Sequence, residues 1–207
     1  MPPVGVAIID SGVNPRHPHV AGVTGGRCFV PGEPLDNYLD HLGHGTAVAG
    51  AICEKSPAIS LYIAKVFHQQ LVTSIDVLLA ALDWCLLQPV ALINLSLGTP
   101  NEAHRDAFAT RVRQAQGLGI RIVSAAGTLP GSLPGVIGVT WDDTVPRDTY
   151  AAEYAASGWP RPIPGRPPNQ NLHGISFAVA NVTGCLARNL AVEILPANPA
   201  GDSILKP

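Results

Sequence analysis

The sequence predicts an α/β fold of three layers, with a mostly parallel, doubly wound sheet between two layers of helices. Three observations predict it. Short unbroken apolar runs recur along the chain, as in strands buried on both faces. Stretches with helical periodicity lie between several of them, so consecutive strands are joined by right-handed βαβ crossovers. The composition, 46% hydrophobic against 14% charged over 207 residues, supplies a core large enough for such a sheet within a single domain.

The elements follow in order. Residues 4–9 form an apolar run, read as a buried strand that ends in the turn Asp10-Ser11-Gly12. Residues 15–32 are turn-rich. The small residues after His44 suit a closely packed helix through about Cys53. Residues 59–66 read as a second strand. Over 74–87, Ile75, Leu78, Leu79, Leu82 and Leu86 share one helical face, and Ser74 is a fitting cap. Residues 90–97 are a third strand and 101–118 a helix that Gly119 stops. Residues 120–125 and 136–141 are further strands. The proline-rich stretch 142–171 reads as a long surface connection with room for one short hairpin. Residues 177–195 form the final helix. A single domain is thus expected over 1–195, with a mobile tail at 196–207.

Charge and composition exclude several function classes. A net charge of −2 gives no basic field for nucleic acid, and no basic amphipathic stretch suits a membrane surface. The four cysteines, Cys28, Cys53, Cys85 and Cys185, lack CxxC spacing and a paired histidine motif, which argues against zinc or thioredoxin-type chemistry. Each sits in an apolar context and is expected as a buried free thiol, two disulfides being the alternative. No basic segment leads into an apolar run at the start, and the chain is expected in the cytoplasm. His17, His19 and His41 sit on a turn-rich rim without acid or cysteine spacing, so no metal site is assigned.

In a doubly wound sheet, ligands bind at the carboxyl ends of the strands. Asp10 ends the first strand there, Ser96, Leu97 and Gly98 end the third, and Ala126, Gly127 and Thr128 follow the fourth. His44 and Ser176 both begin helices, where free N–H groups and the positive dipole end favour negative charge. Taken singly, each has an ordinary reading: a turn acid, a helix-start residue, a helix cap.

Together with their flanks they resemble a known family. Ala7-Ile8-Ile9-Asp10-Ser11-Gly12-Val13 is similar to the aspartate segment of the subtilisin-like serine proteases (peptidase S8, subtilases). His44-Gly45-Thr46-Ala47-Val48-Ala49-Gly50 resembles their histidine segment, and Gly174-Ile175-Ser176-Phe177-Ala178 their serine segment. The order Asp, His, Ser is that of this family. Ala64-Lys65-Val66, Ile93-Asn94-Leu95-Ser96-Leu97-Gly98, Val123-Ser124-Ala125-Ala126-Gly127 and Pro134-Gly135-Val136-Ile137-Gly138-Val139 also match, so the resemblance spans about residues 4–190.

The resemblance implies a subtilisin-like fold and a serine endopeptidase that needs no cofactor. Ser176 would be the nucleophile, His44 the general base and Asp10 its orienting acid. Ser96, Leu97 and Gly98 would bind an extended protein or peptide substrate as an added strand, with Ala125, Ala126 and Gly127 as the opposite wall of the pocket. Four departures stand out. Thr128 replaces the asparagine that donates to the oxyanion, so the second donor would be Thr128 itself or Asn169 or Asn171 from the long loop. Few residues follow Thr128 before the next strand, which leaves the specificity pocket open or finished by another chain. The insertion that wraps calcium in many relatives is missing, and His19 stands where an acidic ligand is common, which makes calcium doubtful. Ala180 replaces a proline. Trimmed loops suit a dedicated processing protease. A peptide-binding pseudoprotease and a subunit completed by a partner chain are the alternatives.

Overall fold

The structure, a computed structural model, describes residues 3–193. Its centre is strand β1 (Val4–Asp10), flanked by β3 (Ile59–Lys65) on one side and β4 (Leu92–Leu95) on the other. The remaining strands are β2 (Val23–Cys28), β5 (Arg121–Ala125), β6 (Ile137–Trp141) and β7 (Ala155–Ala156). All pair in parallel in the order β2-β3-β1-β4-β5-β6-β7.

Side chains of a strand alternate between faces, and both faces of β1 are covered. Val4, Val6 and Ile8 join the core built with helices α1 (His44–Lys55) and α4 (Ile175–Glu193). Ala7 and Ile9 join the core of α2 (Ile75–Leu86) and α3 (Arg105–Gly117) on the other side. Burial on both faces is why the strand sequence shows no polar alternation. It also explains the apolar length of α4. That helix is long and apolar enough to cross a membrane, yet residues 177–187 are buried against α1 and the sheet.

The helix boundaries follow their caps. Ser74 Oγ accepts from Val77 N at 3.3 Å at the start of α2. Asn101 caps the 3-10 turn Glu102–His104 that leads into α3, and Gly119 in the left-handed region follows its end.

Three expectations are corrected. Strand β2 lies inside the stretch read as turns, because Gly25 and Gly26 interrupt its pattern. Gly26 is there for close packing, since a Cβ would sit 2.5 Å from the Tyr38 ring. The long connection before α4 holds no hairpin. Its β7 pairs in parallel with β6, since the chain loops back before re-entering the sheet. Strand β4 stops at Leu95, short of Leu97, because the next residues leave the sheet to form a wall of the site. The expected end of the last helix at Leu195 and the tail at 196–207 lie outside the described residues.

Candidate active site

Asp10 ends the central strand and is fully buried, on the same face as Ile8 and therefore toward α1. Helix α1 begins beside it, entered through Gly43 at φ 81°. The approach is close enough to require glycine at position 45, where a Cβ would lie 2.2 Å from the Gly12 carbonyl oxygen and 3.2 Å from Asp10 Oδ1. His44 Nδ1 is thereby held 2.7 Å from Asp10 Oδ1, which also accepts from Ser11 N at 2.7 Å. An ionised carboxylate only accepts, so Nδ1 carries the proton and Nε2 is the basic nitrogen. Burial pushes the His44 pKa down, but the hydrogen bond and charge of Asp10 and the charge of Asp40 outweigh it, and the net shift is upward from 6.5.

Asp40 is the residue that sequence reasoning passed over. Its carboxylate accepts from Ser11 Oγ, Leu42 N and Gly43 N at 2.9 Å on one oxygen, and from Thr46 N at 2.9 Å and Thr46 Oγ1 at 2.6 Å on the other. Ser11 Oγ in turn accepts from Gly45 N at 2.9 Å. Asp40 thus caps the start of α1 and ties it to the end of β1, fixing the backbone on both sides of His44. An acid a few residues ahead of a helix start was the available signal.

Ser176 lies in the first turn of α4, where its N–H has no intrahelical acceptor. Its hydroxyl donates to the Ser96 carbonyl at 3.2 Å rather than to His44, while Ser96 Oγ donates to the Ser176 carbonyl at 3.3 Å. Behind Ser96, Asn94 Nδ2 donates to Ser96 Oγ at 2.8 Å, and Thr183 Oγ1 donates to Asn94 Oδ1 at 3.0 Å. This buried chain fastens α4 to the end of β4. The ring of Phe177, next to Ser176, packs 5.4 Å from that of His44. Asp10, His44 and Ser176 therefore share the carboxyl edge of the sheet. The Asp10–His44 bond is made, and the Ser176 hydroxyl is engaged with the Ser96 carbonyl.

Strands β4 and β5 are paired as far as Leu95 and Ser124, then separate. Ser96, Leu97 and Gly98 form one wall of the resulting slot, and Ala125, Ala126 and Gly127 the other. Thr99 and Leu129 rejoin the walls with mutual backbone bonds of 3.0 and 2.9 Å. A Cβ on Gly98 would lie 2.4 Å from Thr128 Oγ1, and one on Gly131 would lie 1.9 Å from the Ala125 carbonyl oxygen. Leu129 and Leu133 are buried beneath. The short connection is the floor of the slot, pressed against both walls. Thr128 Oγ1 spans the slot from Gly98 toward the Ala125 carbonyl, 3.5 Å away. Asn171 donates its amide to the Arg161 carbonyl at 3.1 Å, and Asn169 lies in the exposed turn Pro168–Gln170.

The other candidate side chains lie outside this arrangement. All four cysteines are buried free thiols, and burial pushes the Cys85 thiol far up. His41 is exposed. His17 and His19 pack edge to face at 4.9 Å, and burial, then the neighbouring Arg161 and His17, hold His19 below its ordinary pKa. Among the described residues no three His, Cys, Asp or Glu side chains gather into a metal-binding group.

Residues 3–194 match the model of the subtilase family. The chain is 36% identical over 133 residues to Subtilisin amylosacchariticus from Bacillus subtilis subsp. amylosacchariticus and to Subtilisin J from Geobacillus stearothermophilus, covering 60% of this chain and 34% of each relative. It is 35% identical to Subtilisin from Bacillus pumilus, covering 60% of this chain and 47% of that one. The chain thus spans a third to a half of the length of these relatives.

Proposed function

Because this chain belongs to the subtilase family, we propose that it is a serine endopeptidase acting through Asp10, His44 and Ser176. The observation that carries the reading is the 2.7 Å Asp10–His44 hydrogen bond on the sheet edge where α4 presents Ser176. Ser176 Oγ leaves the Ser96 carbonyl by a χ1 rotation and attacks the substrate carbonyl carbon. His44 Nε2 takes its proton and then delivers it to the leaving amine, giving an acyl-enzyme that water hydrolyses by the same route. Asp10 holds the tautomer and stabilises the imidazolium. The free Ser176 N–H donates to the oxyanion, with Thr128 Oγ1 as the second donor after it swings from Ala125. No step takes a metal or cofactor.

The substrate lies extended along Ser96, Leu97 and Gly98, and the residue before the cut enters the slot. A floor of packed main chain just below the rim favours Gly, Ala or Ser there. Such narrow selection suits processing of particular precursors over bulk degradation.

A fluorophosphonate probe tests the chemistry, with Ser176→Ala as control, and a mass-spectrometric survey of a proteome-derived peptide library tests the preference. Labelling of wild type alone and cuts after small residues are expected. Absence of both labelling and cleavage defeats the enzyme reading and leaves a peptide-binding module. Cuts mainly after large residues defeat the reading of the slot.

A further inference from the structure

The slot lies where β4 and β5 separate. Beside His44, toward the loops that follow β1 and precede α1, a separate cleft of about 460 Å³ opens. One wall is Asn14, His17 and His19 with Asp40, Leu42 and Gly43 ahead of α1 and Thr46 and Ala47 in its first turn, Gly43 being next to His44. The other is the proline-rich loop, with Arg161, Arg166 and Leu172, which runs directly into the Ser176 segment. None of the slot residues lines it. A substrate with its reacting carbonyl at Ser176 and its preceding residues in the slot sends the chain after the cut this way.

The cleft carries uncommitted positive charge. Arg105, Arg111 and Arg147 each hold a carboxylate elsewhere on the molecule. Among the described residues, Arg161 and Arg166 have no carboxylate within 4.0 Å, and their guanidinium groups make no hydrogen bond. The one acid on the walls, Asp40, already accepts five hydrogen bonds from Ser11, Leu42, Gly43 and Thr46. His17 and His19 face the same space. Arginine prefers paired carboxylate oxygens, and a concave site strengthens that attraction over an exposed surface.

Resting on the protease reading, we propose that Arg161 and Arg166 select substrates with acidic side chains in the first residues after the scissile bond. The class of substrate is then a peptide with a small residue before the cut and a carboxylate-bearing segment behind it.

The test uses peptides identical up to the cut, carrying Glu, Gln or Lys in the residues after it. For wild type, kcat/KM is expected at least about 10-fold higher with Glu than with Gln, lowest with Lys, and converging as salt rises. Arg161→Gln with Arg166→Gln brings the Glu peptide down to the Gln peptide, and Arg161→Glu with Arg166→Glu reverses the order. In parallel, fluorescence anisotropy of the same labelled peptides on Ser176→Ala protein reads binding without turnover. Peptides kept at a C-terminal amide and as the free acid distinguish side-chain carboxylates from the chain-end carboxylate. Efficient cleavage with no order among Glu, Gln and Lys overturns the selection and leaves the protease standing. No cleavage, with Glu-dependent binding that the Gln variants abolish, does the reverse.

Discussion

Asp40→Ala strips a half-buried knot of hydrogen bonds from the start of α1, and its cost follows from where the donors lie. The Leu42 and Gly43 N–H groups are near the surface and rehydrate. Ser11 is 1% exposed and Thr46 is 7% exposed, so Ser11 Oγ and Thr46 N are left without their acceptor in the interior. Each orphaned buried donor costs about 1–3 kcal/mol, and the lost negative charge at the helix start adds about 0.3–1 kcal/mol. Asp40 is itself half-buried, which favours the lower half of that range, about 3 kcal/mol in total. At roughly 2–4 °C per kcal/mol for a chain of this size, the melting temperature falls by about 6–12 °C. Thermal unfolding followed by circular dichroism reads this directly. Asp40→Asn keeps the shape but turns an amide N–H₂ toward Ser11 or Thr46, and falls between wild type and Asp40→Ala. The second readout is kinetic. Asp40 is one of the charges that raise the His44 pKa, so the acid limb of kcat/KM moves to lower pH in both variants, and kcat drops as the α1 start loosens. A melting temperature within about 2 °C of wild type, with an unmoved acid limb, would refute the role given to this carboxylate.

Three further outcomes follow from the site. The base must be neutral to accept a proton, and its pKa is raised, so the midpoint of the acid limb of wild type lies above 6.5. The same shift stabilises the fold below the unfolded value and loses that contribution as pH rises through the folded value. Asp10→Asn removes the largest upward influence on His44; a pH–rate series is expected to show the limb moving down and kcat falling by on the order of 10⁴, and an unmoved limb would separate Asp10 from the base. At position 128, Asn lengthens the donor and raises kcat on a peptide with a small residue before the cut, while Ala lowers it. Equal turnover of Thr128, Asn and Ala proteins would place this residue away from the oxyanion.

Much of the framework was legible in the residues. The central strand Val4–Asp10 and its neighbours Ile59–Lys65 and Leu92–Leu95 announce themselves as apolar runs, because burial on both faces writes itself into every position. The helices carry their own caps and periodicity, and Asp10, His44 and Ser176 sit at strand or helix ends that local sequence marks. Edge and two-residue strands were not legible. Val23–Cys28 is half-solvated and broken by glycines, and Ala155–Ala156 is too short to show a period.

What the tertiary structure alone decided depends on atoms brought together from distant parts of the chain. No local pattern tells that Asp40 binds Ser11 and Thr46 at once, that the Ser176 hydroxyl rests on Ser96, or that Leu129 pairs with Thr99 and closes the slot. Nor does it tell that Arg161 and Arg166 face the start of α1 across an open cleft. The sequence by itself determined the central strands of the sheet, the order of its chemistry-bearing residues and the family, since periodicity and short motifs are local properties. The shape and charge around Ser176 and His44 were decided only by folding, because they are set by how far two loops approach and by which charges that approach leaves unpaired.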